Sequence, residues 1–380
     1  MAAVTTLRSR LAPCLALIAL LATAGCGTRA PRVAAGATSC VAPCQVGSGA
    51  RGVSVFVEPE AGASPILSAL ATATTTLDVE VYQLSDVRVI HALEDARNRG
   101  VNVRVILEFA PFGDAGVSAQ VTAEELRSAG LEVESGNPAF RYTHAKFLVI
   151  DRATAYILSS NLTHTGLGGT AASADRDYGV IDTDPSDTAE ISALFAADWA
   201  RTAAKPVAPN LVVSPDNARA KLLALIAGVQ HTLSIEDEEL QDGAVLAALS
   251  AASRRGVVVE VLLPAPAAAG SPVPQLGVLA QAHVAVRYGG HLYMHAKLMV
   301  VDSTRAFVGS LTLRGATAPQ VLGSSPQAAP RVPEGAARAI GCSWPRCDPG
   351  AGSSHRRDRD ATAQRVPSAP ARHSRSTLGS

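Results

Sequence analysis

The chain has 380 residues with 33 basic and 33 acidic side chains, so its formal net charge is zero. That length accommodates two ordinary domains or one large duplicated one, and the charge balance excludes a bulk polycation, leaving a local patch as the only route to nucleic acid. Lysine is scarce: Lys146, Lys205, Lys221 and Lys297 are all there are, which singles each of them out.

Residues 1–26, MAAVTTLRSRLAPCLALIALLATAGC, place Arg8 and Arg10 before an apolar run from Leu11 to Ala22 and close on small residues, the layout of an export signal. The run is too short to span a membrane. Its end, TAGC, resembles a bacterial lipobox in which Cys26 becomes the lipidated first residue, with Thr23 where leucine is usual; cleavage after Ala24 and release as a soluble protein is the other reading. Both predict work outside the cytoplasm, as a lipoprotein anchored on the outer face of the cytoplasmic membrane or in the periplasm, or as a secreted protein. Residues 27–50 form a linker with Cys40 and Cys44, read as structural cysteines because their spacing without further ligands is no metal signature.

An internal repeat follows. Residues 76–107 align without a gap to 232–263 at an offset of 156, with 15 identities over 32 positions, among them Glu80 with Glu236, Asp86 with Asp242, Arg99 with Arg255 and Gly100 with Gly256. Each copy runs from an alternating apolar strand (Leu77, Val79, Val81) to a helix-period stretch (Val89, Ile90, Leu93, Ala96), a glycine stop and a valine-rich strand. Strand, helix, strand at this length is a βαβ unit with parallel strands, so the chain is predicted to be α/β: two similar halves, each a β-sheet covered by helices. The expected boundaries are 51–200 for the first half, 201–217 for a Pro-rich linker and 218–314 for the second half.

A second repeat lies further along. YTHAKFLVID at 142–151 and YMHAKLMVVD at 293–302 carry His144, Lys146 and Asp151 in one copy and His295, Lys297 and Asp302 in the other. His and Lys two apart at a strand start share one face, where side chains converge on a ligand. Two of the four lysines stand in these segments, and a buried lysine without a partner costs free energy, so a packing role does not account for them. The acidic run Glu236, Asp237, Glu238, Glu239 reads as a solvated strand end, with Glu236 set apart by its match to Glu80.

The doubled H-x-K-x-x-x-x-D segment, its tyrosine prefix and the following LSSN resemble the phospholipase D superfamily, whose motif continues into G-S-x-N; the resemblance runs from about Gly52 to Leu313. It implies a duplicated fold with the active site between the halves and a phosphodiesterase that uses no metal and no other cofactor. The implied reaction is cleavage of phospholipid headgroups, by hydrolysis or transfer, through a phosphohistidine. An exported nuclease of the same superfamily and a catalytically impaired phosphate-binding lipoprotein are the alternatives. By resemblance His144 is the nucleophile, His295 the general acid, Lys146 and Lys297 the charge around the phosphate, and Asp151 and Asp302 complete the motifs. Asp177 is the acid expected behind His144, while Ser159, Asn161, Ser310, Tyr142 and Tyr293 are expected to line the substrate. The expected partners are a phospholipid or other phosphodiester and, through the anchor, a membrane surface; nucleic acid is not favoured, and the expected state is a monomer.

The chain departs from the motif at Leu158, where glycine is usual, and at Thr312, where asparagine is usual. From about Arg314 the pattern is lost. Residues 315–380 hold eight prolines, nine arginines and no lysine, without strand or helix period, and read as a disordered extension or as GC-rich DNA translated out of frame. On the second reading a frameshift has cost the second half its last strand, so that half is expected to be incomplete and activity to suffer.

Overall fold

The computed structural model describes residues 2–6, 52–112, 117–265 and 276–314, which form an eight-stranded and a six-stranded sheet. Cys26, Cys40, Cys44 and the 315–380 tail lie outside the described residues. Both halves belong to one compact unit. No helix among the described residues is long and apolar enough to cross a membrane.

In the first half, β2 (Val53–Glu58) leads through α1 (Ser64–Thr72) to the βαβ unit of β3 (Thr76–Val81), α2 (Val87–Asn98) and β4 (Asn102–Leu107). Then come α3 (Val117–Ser128), β5 (Glu132–Ser135), the hairpin of β6 (Lys146–Ile150) and β7 (Thr154–Leu158), β8 (Asp175–Asp182) and α4 (Pro185–Trp199). The second half repeats the plan with α5 (Ala218–Ala227), β9 (Thr232–Asp237), α6 (Gly243–Arg254), β10 (Val258–Leu263), α7 (Gly277–Gln281) and β11 (Ala285–Tyr288). It continues through β12 (Tyr293–Met294) to the hairpin of β13 (Lys297–Val301) and β14 (Arg305–Gly309). As the repeat predicts, β3 runs parallel to β4 and β9 parallel to β10.

The polar identities of the repeat are fold-forming. Asp86 and Asp242 are N-caps whose carboxylates accept from Arg88 N and Ala244 N, satisfying amides that the first helical turn leaves open. Gly100 and Gly256 both sit at φ +92°, the left-handed stop after a helix that a Cβ disfavours. The Arg99 and Arg255 guanidiniums donate to carbonyls at the ends of α1 and α5, Leu70 O and Ile226 O.

The motif aspartates are structural as well, which corrects their assignment to catalysis. Asp151 (φ 50°) and Asp302 (φ 51°) start turns whose next residues, Arg152 and Ser303, also have positive φ, as tight hairpin turns of the I′ kind require. Asp151 accepts from the backbone N–H groups of Thr74, Thr75 and Thr76, and Asp302 from those of Gln230, His231 and Thr232. Each carboxylate thereby fastens a hairpin to the chain entering the first strand of its βαβ unit, β3 or β9. Five residues of strand separate Lys146 from Asp151, roughly 17 Å at the usual rise, so the aspartate is at the wrong end of β6 for chemistry.

The strand order is β12-β8-β7-β6-β3-β4-β5, with β2 also on β8, in one sheet and β1-β14-β13-β9-β10-β11 in the other, where β1 is Ala2–Thr6. β1 belongs to the stretch read as an export signal and pairs antiparallel with β14, the edge that corresponds to the β7 edge covered by β8 in the first half. The halves meet through a shared apolar layer that includes Val55, Tyr178, Val180, Met294, Leu298 and Val308. Residues 201–217 hold no helix or strand, yet they are no free spacer. Leu211, Val212 and Val213 are fully buried, and Lys221 Nζ donates to the carbonyls of Ala208, Pro209 and Leu211.

Replacing either motif aspartate by alanine should therefore cost stability, about 1–2 kcal/mol each from several charge-assisted hydrogen bonds that are partly solvated. Thermal melts of Asp151→Ala and Asp302→Ala should show this loss while kcat at a permissive temperature stays near wild type; a stable variant with lost kcat would return the aspartates to the chemistry.

Candidate active site

The crossover that builds the site is short. β12 pairs in parallel with β8, Tyr293 opposite Asp175 and Met294 opposite Arg176, and His295 N continues the ladder to Arg176 O at 3.2 Å. The second half's histidine is thus delivered beside Asp177 of the first. His295 Nδ1 lies 3.0 Å from Asp177 Oδ2 and 3.1 Å from Oδ1. This corrects the expectation that Asp177 serves His144: the residue downstream of a motif serves the other half's histidine, because β8 runs along the joint. A carboxylate only accepts, so Nδ1 carries the hydrogen and Nε2 faces the site.

Ser159, expected on the phosphate, holds Asp177 instead. Its hydroxyl donates to Asp177 Oδ1 at 2.5 Å and accepts from Tyr178 N at 2.9 Å. Asn161 Nδ2 donates to Gln83 Oε1 at 3.1 Å, and its buried Oδ1 has no hydrogen-bond partner among the described residues. Ser310 is fully buried, and its carbonyl lies 2.9 Å from His144 Nδ1. A carbonyl also only accepts, so His144 too keeps its hydrogen on Nδ1 and its lone pair on Nε2.

Both motif lysines are buried, and both donate to the carbonyl of their own motif histidine, Lys146 Nζ to His144 O at 3.1 Å and Lys297 Nζ to His295 O. Lys146 Nζ also lies 3.3 Å from His144 Nε2 and 5.0 Å from the centre of the Tyr82 ring. Burial, then the Lys146 and Lys297 charges, hold the His144 pKa well below the usual imidazole value, so the ring is neutral. Burial, then Lys297, also depresses Lys146. These mutual effects place the two histidines and two lysines of the two halves in one electrostatic centre.

Tyr142 packs edge-on against Tyr82 at 5.9 Å, and Tyr82 lies 4.6 Å from the His144 ring. The Tyr293 ring lies 6.4 Å from His295, and its hydroxyl donates to Glu238 Oε1 at 3.0 Å. Sequence reading missed Tyr82 and Glu238, which the offset of 156 sets opposite each other just past the ends of β3 and β9. The acidic run is not a solvated strand end: Glu236 and Asp237 are each 1% exposed, and Glu238 Oε2 lies 2.8 Å from Lys297 Nζ. Burial opposes the Glu238 charge, but Lys297 and then His295 outweigh it and hold this carboxyl below the usual range. Among the described residues no group of three or more His, Cys, Asp or Glu is arranged to hold a metal ion.

Behind the site, two buried carboxyls are held above the usual carboxylate range. Burial pushes Glu58 up to about 8, with Asp177 adding to the rise, and pushes Glu236 up to about 7 against the hydrogen bond from Tyr178 Oη at 2.9 Å.

Fold and centre together define the class: a duplicated α/β protein that gathers a His-Lys pair from each half into one centre at the joint. The chain belongs to the family described as cardiolipin synthase, PLD-like domain, whose model matches residues 66–199 and 222–317. Phospholipase D superfamily members act on phosphodiester bonds, and the family match places this chain in that superfamily. No curated protein matches the sequence. Among solved structures, polyphosphate kinase from Porphyromonas gingivalis matches at 18% identity and a TM-score of 0.55, covering 74% of this chain and 48% of its own. This chain therefore spans about half of that kinase. The phosphatidylserine synthase of Haemophilus influenzae Rd KW20 matches at 12% identity and a TM-score of 0.55, covering 72% of this chain and 81% of its own. Nuc from Salmonella typhimurium, a phospholipase D family member, matches at 21% identity, covering 41% of this chain and 98% of its own, with a TM-score of 0.35 that carries no argument. At such identities the likenesses show the fold alone.

A carboxyl whose folded pKa is raised destabilises the fold once the unfolded chain would ionise it, so its contribution is favourable below about 4.5 and is lost as pH rises through the folded value. With Glu236 at about 7, Glu236→Gln should exceed wild type at pH 8 by on the order of 2–3 kcal/mol, a gain that shrinks to nothing toward pH 4.5. Denaturant unfolding at the two pH values measures it; equal stabilities at pH 8 would mean the carboxyl is not held neutral.

Proposed function

We propose that the protein cleaves phospholipid headgroups by a phospholipase D-type reaction, with hydrolysis or transfer to an alcohol as the second step. The observation that supports it is the unequal backing of two histidines in one centre: a carbonyl behind neutral His144 and a carboxylate behind His295. His144 Nε2, the ring nitrogen without a hydrogen, attacks phosphorus and forms a P–N bond. The P–O bond to the headgroup breaks, and His295 Nε2–H gives its proton to the departing oxygen while Asp177 balances the imidazolium charge. Lys146 and Lys297 stabilise the charge spreading over the equatorial oxygens. In the second step His295 takes a proton from water or an alcohol, whose oxygen attacks phosphorus and breaks the P–N bond, returning both rings to their starting states.

Phospholipid is favoured over nucleic acid because the chain is neutral overall and the family model that matches is described by a lipid synthase. Release of choline from phosphatidylcholine vesicles, with plasmid DNA digested in parallel and chelator in excess, tests substrate and metal independence together. Choline release that persists in chelator is the expected result; activity on DNA alone, or recovery only with one divalent ion, overturns the reading.

The roles predict how the variants fail. His144→Ala should abolish covalent labelling from any phosphodiester, whereas His295→Ala and Asp177→Asn should label from a nitrophenyl phosphodiester, whose leaving group departs unprotonated, and lose roughly 10²–10⁴-fold on an alkyl headgroup. Rapid-quench phosphoenzyme assays read this, and labelling of His144→Ala would reverse the assignment.

Export and anchoring through Cys26 belong to the same proposal, since a lipid anchor brings the site to its substrate. Cys26→Ala should move the protein from the membrane to the soluble or unprocessed fraction with the site unaltered, and unchanged fractionation would refute the anchor.

A further inference from the structure

The duplication makes positions 82 and 238 equivalent, and there the halves part. Tyr82 lays its ring against His144 and Lys146 and brings no charge. Glu238 brings a carboxylate to the corresponding place. Its Oε2 lies 2.8 Å from Lys297 Nζ and 3.6 Å from His295 Nε2, and its Oε1 accepts from the Tyr293 hydroxyl at 3.0 Å. An ammonium, an imidazole nitrogen and a hydroxyl thus converge on one pair of oxygens.

We propose that Glu238 is a resident anion: it occupies, on Lys297 and His295, the seat of phosphate oxygens, and a phosphodiester enters only by displacing it. The proposal rests on the phosphodiester reading of the centre. Carboxylate and phosphate oxygens make the same charge-assisted hydrogen bonds at the same lengths, so one set of donors serves either. Two anions packed together in a buried, low-dielectric site repel strongly, so joint occupancy is disfavoured. Binding becomes an exchange, and apparent affinity falls by the fraction of molecules whose carboxylate has left. The arrangement also explains how Lys297 is kept fully buried, since a buried ammonium requires a partner. Lys146, its counterpart, has the Tyr82 ring, the His144 ring and one carbonyl around it and no carboxylate in contact, so the two halves enter the reaction unequally charged.

The exchange makes a specific demand on ligand charge. Whatever displaces Glu238 must itself be anionic enough to compensate Lys297, so the seat selects a phosphate over a neutral ester of the same shape.

Titration calorimetry of tungstate, a phosphate mimic, onto the full chain tests this, with Glu238→Gln, Glu238→Ala and Tyr293→Phe compared with wild type and thermal melts verifying that each variant is folded. Removing the carboxylate should tighten tungstate binding roughly tenfold or more, and Tyr293→Phe, which removes one of its anchors, should tighten it by a smaller factor. Tungstate bound equally or more weakly by the folded Glu238 variants overturns the resident anion and makes Glu238 a residue that only positions Lys297, leaving the phosphodiester reading intact. Should neither wild type nor any folded variant bind tungstate, the phosphodiester reading itself fails and the resident anion with it.

Discussion

Asp177 reaches out of the first half to hold a histidine of the second, and the rest of the site depends on that contact. A fully buried carboxylate is costly unless its oxygens are satisfied, and Asp177 has the Ser159 hydroxyl and His295 Nδ1 to do it. Neither half can supply both partners. The pairing of β12 with β8 and the bond from Tyr178 to Glu236 run through the same few residues, so backbone register, interface packing and ring orientation are set together. Glu58, opposite Asp177 in the β2–β8 ladder, adds a neutral carboxyl and not a second charge, which lets two acids lie side by side without repulsion.

The duplication would call for a like contact at His144, and among the described residues a carbonyl stands there instead. The difference has chemical meaning. A carbonyl fixes the tautomer as a carboxylate does, but it lends no charge with which to balance an imidazolium. A ring so placed beside lysines is held neutral, while the other ring has the Asp177 carboxylate behind it. The two histidines of one repeated motif therefore differ in what sits behind each ring and need no difference in the motif itself.

Much of this was legible in the sequence because the repeat keeps residues for physical reasons that sequence displays. A capping aspartate, a glycine at φ +92° and a strand pattern leave local signatures, and they located both βαβ units correctly. The motif aspartates misled for a related reason. They are retained as firmly as the histidine and lysine, but for a hairpin turn and the amides it gathers, and retention alone does not separate a turn from a reaction. Asp177 was assigned to the wrong ring because closeness along the chain stood in for closeness in space, and β8 crosses the joint. The acidic run looked solvated because charge usually is; its burial depends on the facing half, which no local window contains.

The lysines carry the argument one step further. An ammonium is a point charge that loses its proton readily when buried, whereas a guanidinium does not. In a chain whose basic residues are nearly all arginine, two of the four lysines stand buried within each other's field. Lys297 is compensated by Glu238, whereas Lys146 has an aromatic face, one carbonyl and the His144 ring, so the pair as a whole is short of negative charge. A centre in that condition gains most from a ligand that delivers charge to both lysines at once. A tetrahedral phosphate directs oxygens to separate sides, whereas the Glu238 carboxylate contacts Lys297 and lends Lys146 only a field at a distance. The same asymmetry that allows a side chain to wait in the site thus prevents it from being as good an occupant as the substrate.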